Sequence, residues 1–500
     1  MAEPDDAFNV AFTAESIASK SVGGAAATFA AQGVRFVFQV VSQVILARLL
    51  DPAAFGLVAM AAPVIGFIQV LNDLGFAQAI VQRGSITRRQ VSAMFWISAA
   101  IGALLSAVAA ISAPLTAWVF GEPRLTAVVA ALAGLILVSS LAVLPSALLN
   151  RRLRFDLLAI IDIGCVIAGV VAGIAAAWCG LGYWSLVIMQ AAGSVSGLLL
   201  VWYFSGWRPS RPSYDPSVRP LVRFGANLMG SNLASYFSMT ADNFLIGAVN
   251  GAVALGFYDR SYNLVIKPLG QLFAPVGRVA IPALARLRDW PDRYRSAYAR
   301  MAQAVCIGCV PGMLFSIFNA KAVILLLFGA PWIAAAPVFA WISFGGVAAP
   351  LYSTMAWLFV TQDRTQEQMM FSTATAVLSV ISFAIGVFWG VVGVAMLAAC
   401  CFVFIQLPLM TWGATRSGPV SLRDVTRAVF PLLGGVAASA AVLSWLAEDG
   451  AVGVERLVPI FVASYAAFLL GVGCMPGGIP LFRNITDLRF YLRPKRSSAE

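Results

Sequence analysis

The chain contains no histidine, and only 11% of its 500 residues are charged. Without histidine it lacks the commonest metal ligand and the commonest proton carrier at neutral pH. No metal centre is expected, and any proton or cation coupling falls to carboxylates. A soluble domain carries about 25% charged residues, so the low charge and the 60% hydrophobic content define a polytopic membrane protein. No Walker A run, G-x-S-x-G, H-E-x-x-H or Asp-x-Asp occurs. That excludes an ATP site and the commoner hydrolase signatures, and no cofactor is expected. The formal net charge is +11, but the basic residues are scattered through short connectors rather than gathered in a soluble domain. Nucleic-acid binding is therefore not expected. The 7 cysteines lie in or beside apolar segments. Cys306 and Cys309 form a C-x-x-C there, and are read as packing residues. Residues 1–20 are polar and acidic, with Glu3, Asp5, Asp6 and Glu15 and no basic n-region. The first apolar segment is accordingly expected to be an uncleaved span.

A bilayer span needs about 20 mostly apolar residues. By that measure the chain holds about fourteen: roughly 24–47, 55–80, 91–113, 125–149, 157–178, 183–205, 222–248, 253–284, 299–319, 333–360, 370–389, 391–414, 425–446 and 457–475. With the N-terminus inside, the outer connectors hold only Arg48, Arg124, Lys321 and Arg456, and the inner connectors and tails hold most of the 33 lysines and arginines. The asymmetry follows the positive-inside rule with both termini cytoplasmic. A weak internal repeat is present. Asp51-Pro52-Ala53-Ala54-Phe55-Gly56-Leu57-Val58 opens the second span, and Gly251-Ala252-Val253-Ala254-Leu255-Gly256-Phe257-Tyr258 opens the eighth, in register on Gly56 and Gly256. An even number of spans separates the copies, so the repeat is parallel. The expected organisation is a cytoplasmic tail (1–23), an N-terminal lobe of six spans (24–210), a C-terminal lobe of six (211–415), two added spans (416–478) and a basic cytoplasmic tail (479–500). The fold class is an all-α polytopic membrane protein of two pseudo-symmetric six-helix lobes plus two C-terminal helices.

The polar residues inside these spans carry the functional reading. On a helix each residue advances about 100°, so Arg260, Lys267, Gln271 and Arg278 share a face about 40° wide. Asn227, Ser231 and Ser235, with Ser238 and Asp242, share a sector of about 80° on the preceding helix. In the first span Gln32, Arg35, Gln39, Ser42 and Gln43 line one broad face. Arg35 is too deep there to snorkel easily. A charge near the bilayer centre costs about 2.5–3.5 kcal/mol, and lipid cannot solvate it. Such polar lines imply a water-filled interior with a cationic wall. Arginine offers bidentate donors and lysine a point charge, both at neutral pH, so the wall suits a phosphate. Arg278 is either part of it or an ordinary positive-inside residue. Asp73, Asp242 and Asp259 are candidates for ion coupling; Asp73 equally suits a pair with an arginine or a cap at Gly75. Asp162 is expected to make an interhelical hydrogen bond. Asp259 and Arg260, adjacent on a helix, are expected to face apart and to need separate partners. Trp341, Tyr352 and Trp357 suit either sugar contact or span packing.

The run Ile45-Leu46-Ala47-Arg48-Leu49-Leu50-Asp51-Pro52-Ala53-Ala54-Phe55-Gly56, followed by Leu71-Asn72-Asp73-Leu74-Gly75-Phe76, resembles the start of Wzx-type polysaccharide flippases. These form the polysaccharide synthase branch of the multidrug/oligosaccharidyl-lipid/polysaccharide (MOP) exporter superfamily. Ala241-Asp242-Asn243-Phe244-Leu245-Ile246-Gly247, Leu255-Gly256-Phe257-Tyr258-Asp259-Arg260-Ser261-Tyr262-Asn263 and Arg278-Val279-Ala280-Ile281-Pro282-Ala283-Leu284-Ala285-Arg286-Leu287 extend the resemblance into the second lobe. The resemblance implies the MATE-like MOP flippase fold in a bacterial inner membrane. It implies a transporter, not an enzyme, that carries undecaprenyl-diphosphate-linked oligosaccharide from the cytoplasmic to the periplasmic leaflet for capsule, exopolysaccharide, lipopolysaccharide or O-antigen synthesis. By position in the matching motifs, Arg35 and Arg260 would hold the diphosphate. Lys267 is added from helical geometry. The implied partners are this substrate, membrane lipid, and the polymerase and chain-length machinery of a polysaccharide export system.

Three other readings compete. A cation-coupled drug or metabolite antiporter of the same superfamily relies on intramembrane carboxylates, and the cationic interior suits its substrates less well. A polymerase or ligase resembles a multispan protein with a sizeable periplasmic loop, whereas the outer connectors here are short. A scaffold would explain the spans but not the aligned interior charges.

Overall fold

The structure is a computed structural model that describes residues 14–72, 76, 80, 86–211, 219–446 and 453–478; of 14–31, 219–235, 237–239 and 274–275 only the backbone is described. The described residues form helices and no strand. In chain order these are α1 (Ala14–Leu49), α2 (Pro52–Asn72), α3 (Arg88–Phe120), α4 (Leu125–Arg151), α5 (Phe155–Trp178), α6 (Trp184–Ser205), α7 (Arg219–Arg286), α8 (Pro291–Phe318), α9 (Ala320–Leu327), α10 (Ala336–Thr361), α11 (Thr365–Gly386), α12 (Gly390–Cys401), α13 (Leu407–Thr415), α14 (Leu422–Leu446) and α15 (Val454–Cys474). Over its described residues each of the fourteen expected spans is helical. Eleven helical stretches among the described residues are long and apolar enough to cross a membrane, and one of them, Thr365–Thr415, holds two expected spans. The expected seventh and eighth spans are one helical run, α7, interrupted at Gly251 (φ 83°, ψ 178°). That conformation is open essentially only to glycine. The chain packs as two compact units, 1–256 and 257–500.

In the first unit, α5 and α6 approach closely because small residues line both. A Cβ on Gly169 would lie 2.8 Å from the Met189 carbonyl oxygen, and one on Gly193 would lie 3.2 Å from that of Cys165. Lipid offers no hydrophobic drive to pair helices, so such backbone proximity supplies the dispersion contact instead. α3 and α4 are joined by Ser106 Oγ, which donates to the Ala133 carbonyl at 2.8 Å. The first part of α7 also belongs to this unit. The Tyr236 hydroxyl reaches the Ala62 and Pro63 carbonyls of α2 at 2.9 and 3.0 Å. The two copies of the sequence repeat meet in the same unit. A Cβ on Gly56 would lie 1.6 Å from the Ala252 carbonyl oxygen; one on Gly256 would lie 2.1 Å from the Pro52 carbonyl oxygen. Residues 52 and 252 are equivalent in the repeat, as are 56 and 256. The crossing is therefore unchanged when the copies are exchanged.

In the second unit, α8 and α10 enclose a buried core. Tyr298 Oη and Thr354 Oγ1 share a hydrogen bond of 3.1 Å, and Tyr294 pairs with Thr361. α14 and α15 touch through Gly434 and Gly471, where a Cβ on Gly471 would lie 2.4 Å from the Gly434 carbonyl oxygen. Trp357 and Tyr352 pack in the core of this unit. One π turn, Phe402–Gln406, separates α12 from α13. Pro408 accounts for it: proline has no N–H for the carbonyl four residues earlier, and its ring presses on that carbonyl unless the helix widens. At the end of this segment Arg364 donates to the Gly413 carbonyl at 2.8 Å and the Ala414 carbonyl at 3.0 Å. It also pairs with Glu367 at 2.8 Å, which Arg416 holds from the other side at 2.9 Å. A cation on the last carbonyls of a helix meets its negative end.

Candidate functional site

The second part of α7 carries the aligned cations. Arg260 is half-buried, while Lys267, Gln271 and Arg278 are exposed. The expectation that Asp259 and Arg260 face apart is overturned. Arg260 Nε donates to Asp259 Oδ2 at 2.9 Å, and its Nη2 reaches the same oxygen. The helical rule concerns Cβ directions, but an arginine has three methylenes before its guanidinium and can fold back over its neighbour. Asn263 Nδ2 donates to the other carboxylate oxygen at 3.0 Å. Asp259 is thus gripped on both oxygens within one turn. Each of the two paired side chains is only 17% exposed. A desolvated pair of this kind is held more firmly than one on a wet surface.

In the first unit, α1 packs against α5. Arg35 and Gln32 are exposed along α1, and Gln39 and Gln43 are half-buried. α5 also carries Asp162. Asp162 is exposed, and the interhelical hydrogen bond expected of it is not found among the described residues. Asp162 also lines a cavity of about 900 Å³ between α2, α4, α5 and α6. Gln69 and Asn72 reach it from α2, Ser139, Ser146 and Asn150 from α4, and Ser194 from α6. Its wall sets these polar groups among apolar ones, including Val70, Leu158, Ile161, Leu198 and Val201. The serines and Asn150 stand at spacings of 7 and 4 along α4, the same one-face signature that marks the cations of α7; they carry no charge, and sequence reasoning passed over them.

Asp242 is buried at 7% exposure, and its Oδ1 accepts the Asn243 N–H at 2.8 Å. Asp73 lies outside the described residues, as do the side chains of Asn227, Ser231 and Ser235.

Residues 45–337 match the family described as polysaccharide biosynthesis protein. The chain is 24% identical to the lipopolysaccharide biosynthesis protein WzxC of Escherichia coli K12, over 74% of this chain and 76% of that one. It is 26% identical to the teichuronic acid biosynthesis protein TuaB of Bacillus subtilis 168, over 60% and 62%. It is 25% identical to the succinoglycan biosynthesis transport protein ExoT of Rhizobium meliloti 1021, over 65% and 66%. Among solved structures, the lipid II flippase MurJ in an inward closed conformation superposes with a TM-score of 0.71, at 11% identity, over 93% of this chain and all of that one. An inward-facing multidrug MATE transporter of the MOP superfamily gives 0.54 at 13% identity, over 76% and 93%. The family match over more than half of the chain, on a helical membrane-protein fold shared with the structures above, shows that this chain belongs to the polysaccharide biosynthesis protein family.

Proposed function

We propose that this transporter flips undecaprenyl-diphosphate-linked oligosaccharide repeat units from the cytoplasmic to the periplasmic leaflet of the bacterial inner membrane. The lobes 24–210 and 211–415 alternate in access, and both termini are cytoplasmic. Arg35, Arg260 and Lys267 hold the diphosphate, with Arg278 at the inner end of the line and Gln271 beside it; Gln32, Gln39 and Gln43 complete the polar wall along α1. Asn227, Ser231 and Ser235 add the corresponding wall on the seventh span. The polymerase and chain-length machinery receive the product.

The observation that carries this reading is the counterion arrangement. Arg260 is paired with Asp259, and Arg35 stands on α1, which packs against the α5 helix that carries Asp162. A diphosphate offers more charge and more acceptor oxygens than one carboxylate, in a geometry that an arginine fork fits. It can displace the carboxylate without leaving a bare cation in the membrane. The released Asp259 would then need a cation or proton, which is where ion coupling would enter. A cationic drug would instead meet the charge of Lys267, so the antiporter reading is the weaker one.

The test is polysaccharide export, and accumulation of lipid-linked intermediate, in cells carrying Arg35→Ala, Arg260→Ala or Lys267→Ala at normal membrane abundance. Loss of export with intermediate retained on the cytoplasmic side is expected. Undiminished export in all three variants would remove these residues from the mechanism.

A further inference from the structure

We infer that the cavity of the first unit is a saccharide subsite, which receives the sugars of the substrate whose diphosphate Arg35 holds. This rests on the proposed function and adds to it a second site of different chemistry. Its volume of about 900 Å³ lies near the top of the range for small-molecule sites, about 300–1,000 Å³. The lining is matched to hydroxyl-rich ligands. Gln69, Asn72 and Asn150 each offer an amide donor and an acceptor, and Ser139 and Ser194 offer hydroxyls that do both. Asp162 accepts only, and a carboxylate takes two sugar hydroxyls readily. Parts of this wall are already ordered. Gln69 Nε2 donates to Ser139 Oγ at 3.3 Å, and Ser140 Oγ donates to Asn72 Oδ1 at 3.0 Å. The site is also in the right place. Asp162 lines the cavity from α5, the helix against which α1, the bearer of Arg35, packs. A sugar joined to a diphosphate at Arg35 therefore begins at the cavity wall. Small residues keep the space open, with Gly66, Gly193 and Gly197 on its surface.

Cys165 lies on the cavity wall and is half-buried, which supplies a reporter. The experiment uses the full chain in nanodiscs, with Cys165 the one cysteine retained. Maleimide labelling of Cys165 and native mass spectrometry are read together. Two probes are compared: undecaprenyl diphosphate, and the lipid-linked saccharide pool extracted from a strain deleted for this protein. Both probes are expected to bind, but only the saccharide-bearing one slows labelling several-fold. Ser194→Leu, which fills the cavity, is expected to weaken that adduct by about tenfold or more and to spare undecaprenyl diphosphate. Val195→Leu, one residue on and away from the cavity, checks that α6 tolerates the bulk. If undecaprenyl diphosphate alone protects Cys165 equally, the cavity holds the phosphates and the inference is wrong. If the saccharide-bearing lipid binds without protecting Cys165, the sugars lie elsewhere and the flippase reading survives. If neither probe binds the unsubstituted protein, the proposed function itself fails.

Discussion

Replacing Gly56 by alanine tests the symmetric crossing of α2 and α7 directly. The new Cβ would lie 1.6 Å from the Ala252 carbonyl oxygen, 2.5 Å from its carbon and 3.0 Å from its Cα. All three are backbone atoms, so no side chain can swing away. Against an ordinary contact at 3.4 Å the helices fall short by 1.8 Å at Gly56 and, by the same measure, 1.3 Å at Gly256. Overpacking of this kind costs about 1–3 kcal/mol, occasionally more. The intrinsic helix preference of alanine over glycine returns up to about 1 kcal/mol. Gly56→Ala should therefore lose about 1–2 kcal/mol net, and Gly256→Ala somewhat less. Gly134→Ala and Gly312→Ala are the controls, since a Cβ at either meets nothing within 4 Å. They should be neutral or slightly stabilising. Thermal unfolding of detergent-purified protein, followed by thiol-reactive dye or size-exclusion fluorescence, reads all four. In the Gly56→Ala/Gly256→Ala double variant the second methyl should cost less than the first, because the helices have already parted. A Gly56→Ala protein as stable as the controls would refute the close crossing, and strictly additive losses would refute the shared displacement.

Other variants probe separate features. Gly251→Ala has free space around its Cβ but must hold φ 83°, so its loss of about 1–3 kcal/mol in thermal unfolding is conformational alone. Tyr236→Phe removes one hydroxyl proton shared between two α2 carbonyls and should lower stability by about 1 kcal/mol. Arg364→Ala leaves Glu367 with Arg416 alone and strands the Gly413 and Ala414 carbonyls; a loss of about 1–3 kcal/mol is expected, with Arg364→Lys recovering only part because lysine lacks the fork. Asp259→Asn removes the ion pair of Arg260 while leaving an acceptor for Asn263, and should tighten binding of undecaprenyl diphosphate in native mass spectrometry while slowing export.

The spans were legible because apolar length is a direct physical requirement of the bilayer. The register of the repeat was legible too, because Gly56 and Gly256 recur at a fixed offset in short similar strings. That the two glycines touch was not, since an offset carries no distance. The cations of α7 announced themselves by charge, yet the fate of Arg260 did not follow from helical angles; a long side chain can turn back on its neighbour. Asp162 was visible as a charge in an apolar run, but its place on the cavity wall depends on how α5 meets α2, α4 and α6. The cavity was the hardest to foresee. Serines and amides are common in membrane helices, and only the convergence of α2, α4, α5 and α6 makes theirs one surface.

The π turn at Phe402–Gln406 has a bearing on insertions and deletions. It carries one residue more than an α-turn over the same rise, and so sets the phase between α12 and α13. Deleting any one of these residues would restore regular winding and rotate one helix against the other by about 100°. Val394, Ala395 and Ala399 on one side, and Met410 and Ala414 on the other, are all buried. No single rotation keeps both sets inside. Point substitutions at Phe404 or Ile405, which are exposed, should be tolerated where the loss of either residue is not, so the length of this segment is constrained more tightly than its composition.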